Sequence, residues 1–85
     1  MTRIEIYTSP FCGYCHAAKR LLAHKGVAFN EIDISGNPEL RREMIQKAGG
    51  RSTVPQIWIG ETHVGGFDDI DDLEGRGRLD ILLAG

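Results

Sequence analysis

The stretch SPFCGYCH, residues 9–16, holds both cysteines of this 85-residue chain, with two residues between them. Cys12 and Cys15 are followed directly by His16. A pair with this spacing is compatible with a structural disulfide, a metal site, a haem attachment site or a redox-active centre. The elements on either side of the pair distinguish these possibilities and determine the fold.

The cysteines lie where a predicted strand meets a predicted helix. RIEIYT, residues 3–8, alternates Ile4 and Ile6 with other side chains, which is the period of a β-strand, and the Ser-Pro pair that follows ends it. From Gly13 to a C-cap at Gly26, apolar side chains recur every three or four residues while basic ones fall opposite, which predicts an amphipathic helix. The pair therefore sits at the start of a helix that follows a strand.

The rest of the chain continues this alternation. VAFNEIDIS predicts a second strand, and Asn37-Pro38 predicts the start of a helix that Gly49-Gly50 ends. Two short strands joined by a turn at Gly60 predict a hairpin, and a last helical segment is interrupted by Gly75 and Gly77. The predicted ranges are 27–35 for the second strand, 56–59 and 63–65 for the hairpin, and 68–74 for the start of the last helix. The predicted order is β-α-β-α-β-β-α.

Size and composition restrict the function. A chain of this length forms one core, which predicts a single domain over residues 1–85. Ten basic and twelve acidic residues leave a net charge of -2, without the basic face that nucleic-acid binding requires. No apolar run is long enough to span a membrane, and the N-terminus lacks the pattern of an export signal. We therefore expect a cytoplasmic protein, and in that reducing compartment a cysteine pair is more often catalytic than structural.

The position of the two cysteines on the helix predicts different roles for them. Cys12 lies just before the first turn, where unpaired backbone N–H groups and the positive end of the helix dipole stabilise a thiolate. In such settings the pKa of the first cysteine falls from ~8.5 into the range of about 3.5 to 7.5. Cys15, one turn further in, is expected to be less exposed and placed to attack a mixed disulfide formed at Cys12.

Other sites built on the same pair fit less well. CxxCH is also a haem attachment motif, but alternating strands and helices leave little room for a haem, and Met44 fits the apolar face of a helix better than an axial position. A zinc site would need His24 and His63, which lack the paired spacing of a finger. An iron–sulfur cluster shared by two chains stays open, since each chain could contribute Cys12 and outside thiols could complete four ligands. His16 is expected to be solvated or to cap the first turn.

Three motifs resemble those of the glutaredoxins: EIYTSPFCGYC, TVPQIWIG and VGGFDD, in this order over most of the chain. The resemblance implies an α/β protein of the thioredoxin fold, with a four-stranded mixed sheet and helices on both faces. It also implies a glutathione-dependent thiol–disulfide oxidoreductase with Cys12 and Cys15 as catalytic residues. Its partners would be glutathione and disulfide-containing or glutathionylated proteins. We expect a monomer, and a dimer only where a cluster bridges two copies.

The resemblance also implies a glutathione site. Val54 would pair its backbone with the cysteinyl unit of glutathione, before a cis proline at Pro55, and the GGFDD segment would hold the γ-glutamyl end. Gly65 would leave room for the ligand, and Arg42 and Arg51 are the candidates for binding the glycine carboxylate. The glutathione-binding residues implied in this way are Tyr14, Thr53, Val54, Pro55, Gly66, Phe67, Asp68 and Asp69.

The chain departs from the family pattern at two positions. Many members have a lysine or arginine three residues before the first cysteine, where this chain has Ser9. Dithiol members usually have proline after the first cysteine, where this chain has Gly13, as the monothiol branch does. Glycine restores a backbone donor and loosens the turn. The alternative that follows is a dimer that carries or senses a [2Fe-2S] cluster ligated by Cys12 and glutathione.

Overall fold

The structure is a computed structural model that describes residues 2–85. Four strands form one mixed sheet in the order β2-β1-β3-β4, in which β1 is parallel to β2 and antiparallel to β3, and β3 and β4 are antiparallel. The elements in chain order are β1 Ile4–Thr8, α1 Gly13–His24, β2 Asn30–Asp33, α2 Pro38–Lys47, β3 Gln56–Ile59, β4 Thr62–Gly65, α3 Phe67–Gly75 and α4 Leu79–Ala84. The predicted fold class is confirmed.

One face of the sheet packs against α1, α3 and α4. Ile4 and Ile6 of β1 and Ile57 of β3 point to this face and meet side chains of the helices. The buried members of this core are Ile4, Ile6, Ala18, Leu22, Ile57, Ile59, Ile70 and Leu79. The Ile4 and Ile6 alternation that predicted β1 therefore describes the face that α1 covers.

The opposite face of the sheet packs against α2. Tyr7, Ile34, Met44, Ala48 and Trp58 form its buried core, with the Tyr7 and Trp58 rings edge to face at a centroid distance of 5.4 Å. Both faces of β1 are thus covered, as expected of a central strand with helices on both sides. Met44 is fully buried here, which confirms its expected place in the core.

β2, predicted over residues 27–35, is observed over Asn30–Asp33. It begins at Asn30, because it is an edge strand that pairs only with β1, and the preceding Val27 and Phe29 pack against the core without joining the ladder. The predicted interruption of the last helical segment is confirmed at Gly77, whose φ is +70°, whereas Gly75 is the last residue of α3. Lys25 links the two parts through ion pairs with Glu74 at 2.6 Å and Asp80 at 3.0 Å.

The described helices are all short. None in residues 2–85 has the length and apolar character needed to cross a membrane.

Candidate active site

Cys12 is the N-cap of α1. Its backbone is extended, with φ -109° and ψ 106°, and its Sγ accepts a hydrogen bond of 3.1 Å from the Cys15 N–H. Cys12 is half-buried, whereas Cys15 is fully buried, and the two form a disulfide with a Cα–Cα distance of 5.2 Å. The predicted placement of both cysteines is confirmed.

His16 braces the loop that precedes Cys12. Its Nε2 lies 3.0 Å from the carbonyl oxygen of Pro10, and because a carbonyl can only accept, the ring nitrogen donates. The side chain is exposed and bonds to its own loop, as a capping residue would. This contact ties the Ser-Pro turn to the first turn of α1.

The loop before β3 faces Cys12. The Val54-Pro55 peptide bond is cis, as the resemblance implied. The carbonyl oxygen of Val54 lies 3.5 Å from the Sγ of Cys12. Any group that pairs with the Val54 backbone therefore lies next to the sulfur.

A cleft of about 290 Å³ opens beside this contact. It is formed by the first turn of α1, the loop before β3 and the start of α3. Its lining residues are Tyr14, Arg51, Thr53, Val54, Pro55, Gly66, Phe67, Asp68 and Asp69. The structure thus brings together all of the predicted glutathione-binding residues, along with Arg51.

Aromatic side chains form one wall of the cleft. The rings of Tyr14 and Phe67 stack at a centroid distance of 6.1 Å and an interplanar angle of 25°. Tyr14 is 66% exposed, and Phe11, directly before Cys12, is 100% exposed. Phe11 does not line the cleft, but its exposed ring lies on the surface beside Cys12, and its place as a large apolar residue in a turn is the sequence signal that could have indicated it.

Asp69 is held by two contacts at the start of α3. Its Oδ2 accepts a hydrogen bond of 2.8 Å from the Gly66 N–H and one of 3.1 Å from Arg51 Nη1. The Gly66 N–H, and then the Arg51 guanidinium, lower the pKa of Asp69 from its ordinary value of 3.8. Asp68 lies on the cleft, is exposed, and has no hydrogen-bond or ion-pair partner among residues 2–85. Asp68 is therefore the acid available to a ligand.

Gly65 leaves room for a contact within the protein. Its φ is +115°, and a Cβ there would collide with the Asp69 carboxylate and approach Arg51 Nη1 to 2.6 Å. Glycine is therefore needed for the contact between Asp69 and Arg51, and the room that it would leave for a ligand stays a prediction. At Gly66 a Cβ would lie 3.4 Å from the carbonyl oxygen of Pro55.

The three arginines near the site are placed differently. Arg51 lines the cleft, whereas Arg42 lies on another face of α2, next to Glu39 and Glu43. Arg41 lines a second groove, of about 380 Å³, on the other side of Val54, and its Nη2 donates a hydrogen bond of 3.1 Å to the Ser52 carbonyl. Arg41 could not be predicted here, because the sequence does not show which face of α2 turns toward Val54.

The fold and the N-cap disulfide define a thiol–disulfide oxidoreductase of the thioredoxin fold. The sequence model of the glutaredoxin family matches residues 4–64. A glutaredoxin of Pseudomonas aeruginosa is 58% identical over 84 residues, which cover 99% of each chain. The chain belongs to the glutaredoxin family.

Solved structures of glutaredoxins superpose on the chain. The solution structure of a Brucella melitensis glutaredoxin, 58% identical, matches with a TM-score of 0.86 over 98% of this chain and 89% of that chain. A crystal structure of buckwheat glutaredoxin with glutathione, 26% identical, matches with a TM-score of 0.88 over 98% of this chain and 77% of that chain.

The contacts of Asp69 predict a loss of stability in acid. Because the folded-state pKa of Asp69 lies below the unfolded value, the stabilisation is fully present above the unfolded pKa and is lost as pH falls through the folded-state pKa. We expect Asp69→Ala to lower the free energy of unfolding at pH 7 by about 1 kcal/mol, a value that allows for the partial exposure of the side chain. Asp69→Asn, which keeps an acceptor oxygen, is expected to lose less. Urea unfolding at several pH values measures both.

The control for this prediction is Asp71→Ala, which removes an exposed acid from the same helix and is expected to change stability by less than about 0.5 kcal/mol. The difference between wild type and Asp69→Ala should shrink as pH falls through the folded-state pKa of Asp69, because the carboxylate then becomes protonated in both states. A difference that stays the same from neutral pH into acid would contradict this prediction.

Proposed function

We propose that the chain is a glutathione-dependent oxidoreductase that reduces glutathione mixed disulfides and protein disulfides through the Cys12 thiolate. The observation that carries the proposal is the contact between Cys12 Sγ and the Val54 carbonyl at the mouth of a cleft with groups for both charges of a peptide ligand. The complex of the buckwheat relative with glutathione supports the choice of ligand. In this proposal glutathione is the reductant, and the protein is cytoplasmic and acts as a monomer.

The two grooves beside Val54 suit the two ends of an extended tripeptide. With the cysteinyl unit paired to the Val54 backbone, the γ-glutamyl end enters the cleft at the start of α3. There Asp68 faces the ammonium, and the N–H groups of the first turn donate hydrogen bonds to the carboxylate. The glycine carboxylate then points into the second groove, toward Arg41. Arg51, which pairs with Asp69, lies at the γ-glutamyl end.

The chemistry is two successive thiol–disulfide exchanges. The Cys12 thiolate attacks the glutathione sulfur of the mixed disulfide, a bond forms between the two sulfurs, and the substrate leaves as a thiolate that takes a proton from water. The thiolate of a second glutathione then attacks the adduct, which releases oxidised glutathione and restores the Cys12 thiolate. The first turn of α1 stabilises that thiolate through its free N–H groups.

Cys15 serves the second class of substrate. When Cys12 attacks a protein disulfide, Cys15 attacks the resulting mixed disulfide, and the substrate is released with two thiols. Two glutathiones then reduce the Cys12–Cys15 bond. The full burial of Cys15 and the half-burial of Cys12 support this division, because only Cys12 is open to an external disulfide.

Substitution of Cys12 and substitution of Cys15 are expected to affect the two activities differently. Cys15→Ser should keep the reduction of a small glutathione mixed disulfide, since that route uses only Cys12, and should lose most of the reduction of protein disulfides. Cys12→Ser should lose both activities. Coupled oxidation of NADPH through glutathione reductase measures the first, and turbidity of reduced insulin the second. Equal inactivity of the two variants toward the glutathione substrate would contradict the one-cysteine route.

The neighbouring arginines of α2 offer a matched pair. We expect Arg41→Gln to raise the KM for a glutathione mixed disulfide roughly three- to tenfold with little change in kcat, because a charged hydrogen bond to the glycine carboxylate is lost. Arg42→Gln, on another face of the same helix, should leave KM unchanged. Steady-state kinetics at low and at high salt measures both variants.

High salt should reduce the effect of Arg41→Gln, because salt screens an exposed charge pair. An effect of the same size at all salt concentrations would indicate that Arg41 acts only through its bond to Ser52. A larger effect for Arg42→Gln would place the carboxylate elsewhere.

A second candidate function is the [2Fe-2S] dimer. A Cβ at Gly13 would meet no atom within 4 Å, so the surface beside the half-exposed Cys12 is open to another copy. Within residues 2–85 no three His, Cys, Asp or Glu side chains lie close enough to hold a metal, so a cluster would need Cys12 from two copies and glutathione thiols. Cys12 is the residue of this chain that would hold the cluster. The cluster would be either a cargo passed to other proteins or a group that stores or transfers electrons.

Absorption spectroscopy of protein purified without oxygen tests the cluster. A coloured, glutathione-dependent dimer that Gly13→Pro converts to a colourless monomer is the expected result for a cluster protein. Proline is compatible with this position, because it is the first residue of α1 and Cys12 before it is already extended. A colourless monomer whose turnover is lost only in Cys12→Ser would exclude the cluster as a resident form.

A further inference from the structure

A chain of hydrogen bonds runs from β4 through the sheet to the loop that faces Cys12. His63 Nε2 lies 2.8 Å from Gln56 Oε1. Gln56 Nε2 lies 3.0 Å from the carbonyl oxygen of Thr53 and 3.2 Å from its Oγ1. Thr53 immediately precedes Val54, so this series of hydrogen bonds ends one residue from the contact with Cys12.

The direction of each hydrogen bond follows from its acceptor. The Thr53 carbonyl can only accept, so the amide nitrogen of Gln56 must face it, and the amide oxygen must face His63. The Nε2 of His63 therefore donates. Burial, and then the positive charge of Arg51, lower the pKa of His63, so the ring is neutral at neutral pH, with its proton on Nε2.

The hydrogen-bonded side chains of Gln56 and His63 belong to the sheet. Gln56 is the first residue of β3 and is 0% exposed. His63 stacks on Trp58 with a centroid distance of 4.6 Å and an interplanar angle of 22°. A buried amide is costly unless its groups are paired, and among residues 2–85 the side chain of Gln56 has only Thr53 and His63 as partners.

Neither residue touches the cleft. Gln56 and His63 are not among the side chains that line it, whereas Thr53 and Val54 are. The loop itself is exposed at Arg51, Ser52 and Thr53. Its other side-chain contacts, from Arg41 to the Ser52 carbonyl and from Arg51 to Asp69, hold the residues before Thr53. The amide of Gln56 bonds to both the backbone and the side chain of Thr53, which restricts where the next peptide group can lie.

We propose that Gln56 and His63 are positioning residues, which hold the Thr53–Val54 backbone in the geometry that binds the cysteinyl unit of a glutathione mixed disulfide. The proposal rests on the proposed function, in which Val54 pairs with that unit. His63 acts only through Gln56, whose amide it keeps turned toward Thr53. Loss of the His63 donor frees the amide to turn over and lets the Val54 backbone move away from Cys12.

The test compares two substitutions of His63. His63→Phe keeps an aromatic ring over Trp58 and removes the donor, whereas His63→Gln keeps an N–H donor at a similar reach. We expect His63→Phe to raise the KM for a glutathione mixed disulfide roughly three- to tenfold, with kcat within about twofold of wild type, since one hydrogen bond is lost from the binding geometry. His63→Gln should restore KM to within about twofold of wild type.

Two controls separate positioning from general damage. The rate of alkylation of reduced Cys12 by iodoacetamide, a small reagent that does not need the cleft, should be the same in His63→Phe and wild type. His24→Phe, a change of the same kind at an exposed position near the end of α1, should leave KM and kcat unchanged. A fall in alkylation that parallels the fall in kcat/KM would overturn the proposal.

Other outcomes are equally decisive. An unchanged KM in a folded His63→Phe, or a KM in His63→Gln as high as in His63→Phe, would overturn it. If His63→Phe does not fold, Thr53→Val provides the measurement: it removes one of the two acceptors of the Gln56 amide, and an unchanged KM there would overturn the proposal. Absence of glutathione-dependent turnover in the wild type would instead refute the proposed function.

Discussion

The rest of the site depends on one interaction, the hydrogen bond from the Cys15 N–H to Cys12 Sγ at the start of α1. In most helices an oxygen of serine, threonine or aspartate fills this N-cap position, and here a sulfur does so. The same free N–H groups that need a cap also favour a negative charge, so the helix is completed by the atom that it activates. Because β1 ends at Thr8 and His16 bonds to Pro10, the N-cap sulfur is fixed near the carboxyl end of β1.

The topology of the sheet then brings distant segments to this sulfur. β3 lies beside β1 and runs antiparallel to it, so the loop before β3 reaches the end of the sheet where β1 stops. β4 returns antiparallel to β3, so α3 also begins at that end. The ion pair between Arg51 and Asp69 joins these last two segments at 3.1 Å. The pair is half-exposed and contributes little to stability, but it engages Asp69 and leaves Asp68 as the cleft acid without a partner among residues 2–85.

Local signals in the sequence were sufficient for β1, α1, the hairpin and the cysteine pair, because each carries its own periodicity, turn or cap. Local signals failed where tertiary contacts determine the outcome. β2 is short because only β1 pairs with it. Arg41 rather than Arg42 faces Val54 because of how α2 docks on the sheet. The sequence alone also does not distinguish the roles of Asp68 and Asp69. Asp69 is the third residue of α3, and only its carboxylate reaches back to the Gly66 N–H. Gln56 was predicted as a strand residue, but its partner on the next strand is visible only in the structure.

In the proposed function, the charges around Val54 take the place of the basic residue that the family pattern has at the position of Ser9. Arg51 is largely neutralised by Asp69, which leaves Arg41 in one groove and Asp68 with the start of α3 in the other. Along an extended peptide this gives a cation at one end and, at the other, an acid beside backbone donors, in the order that a tripeptide with one ammonium and two carboxylates requires. In the proposed function the positive potential next to the sulfur comes from the N-terminus of α1, without a cationic side chain. The two grooves would then recognise the ends of the ligand, while α1 stabilises the thiolate.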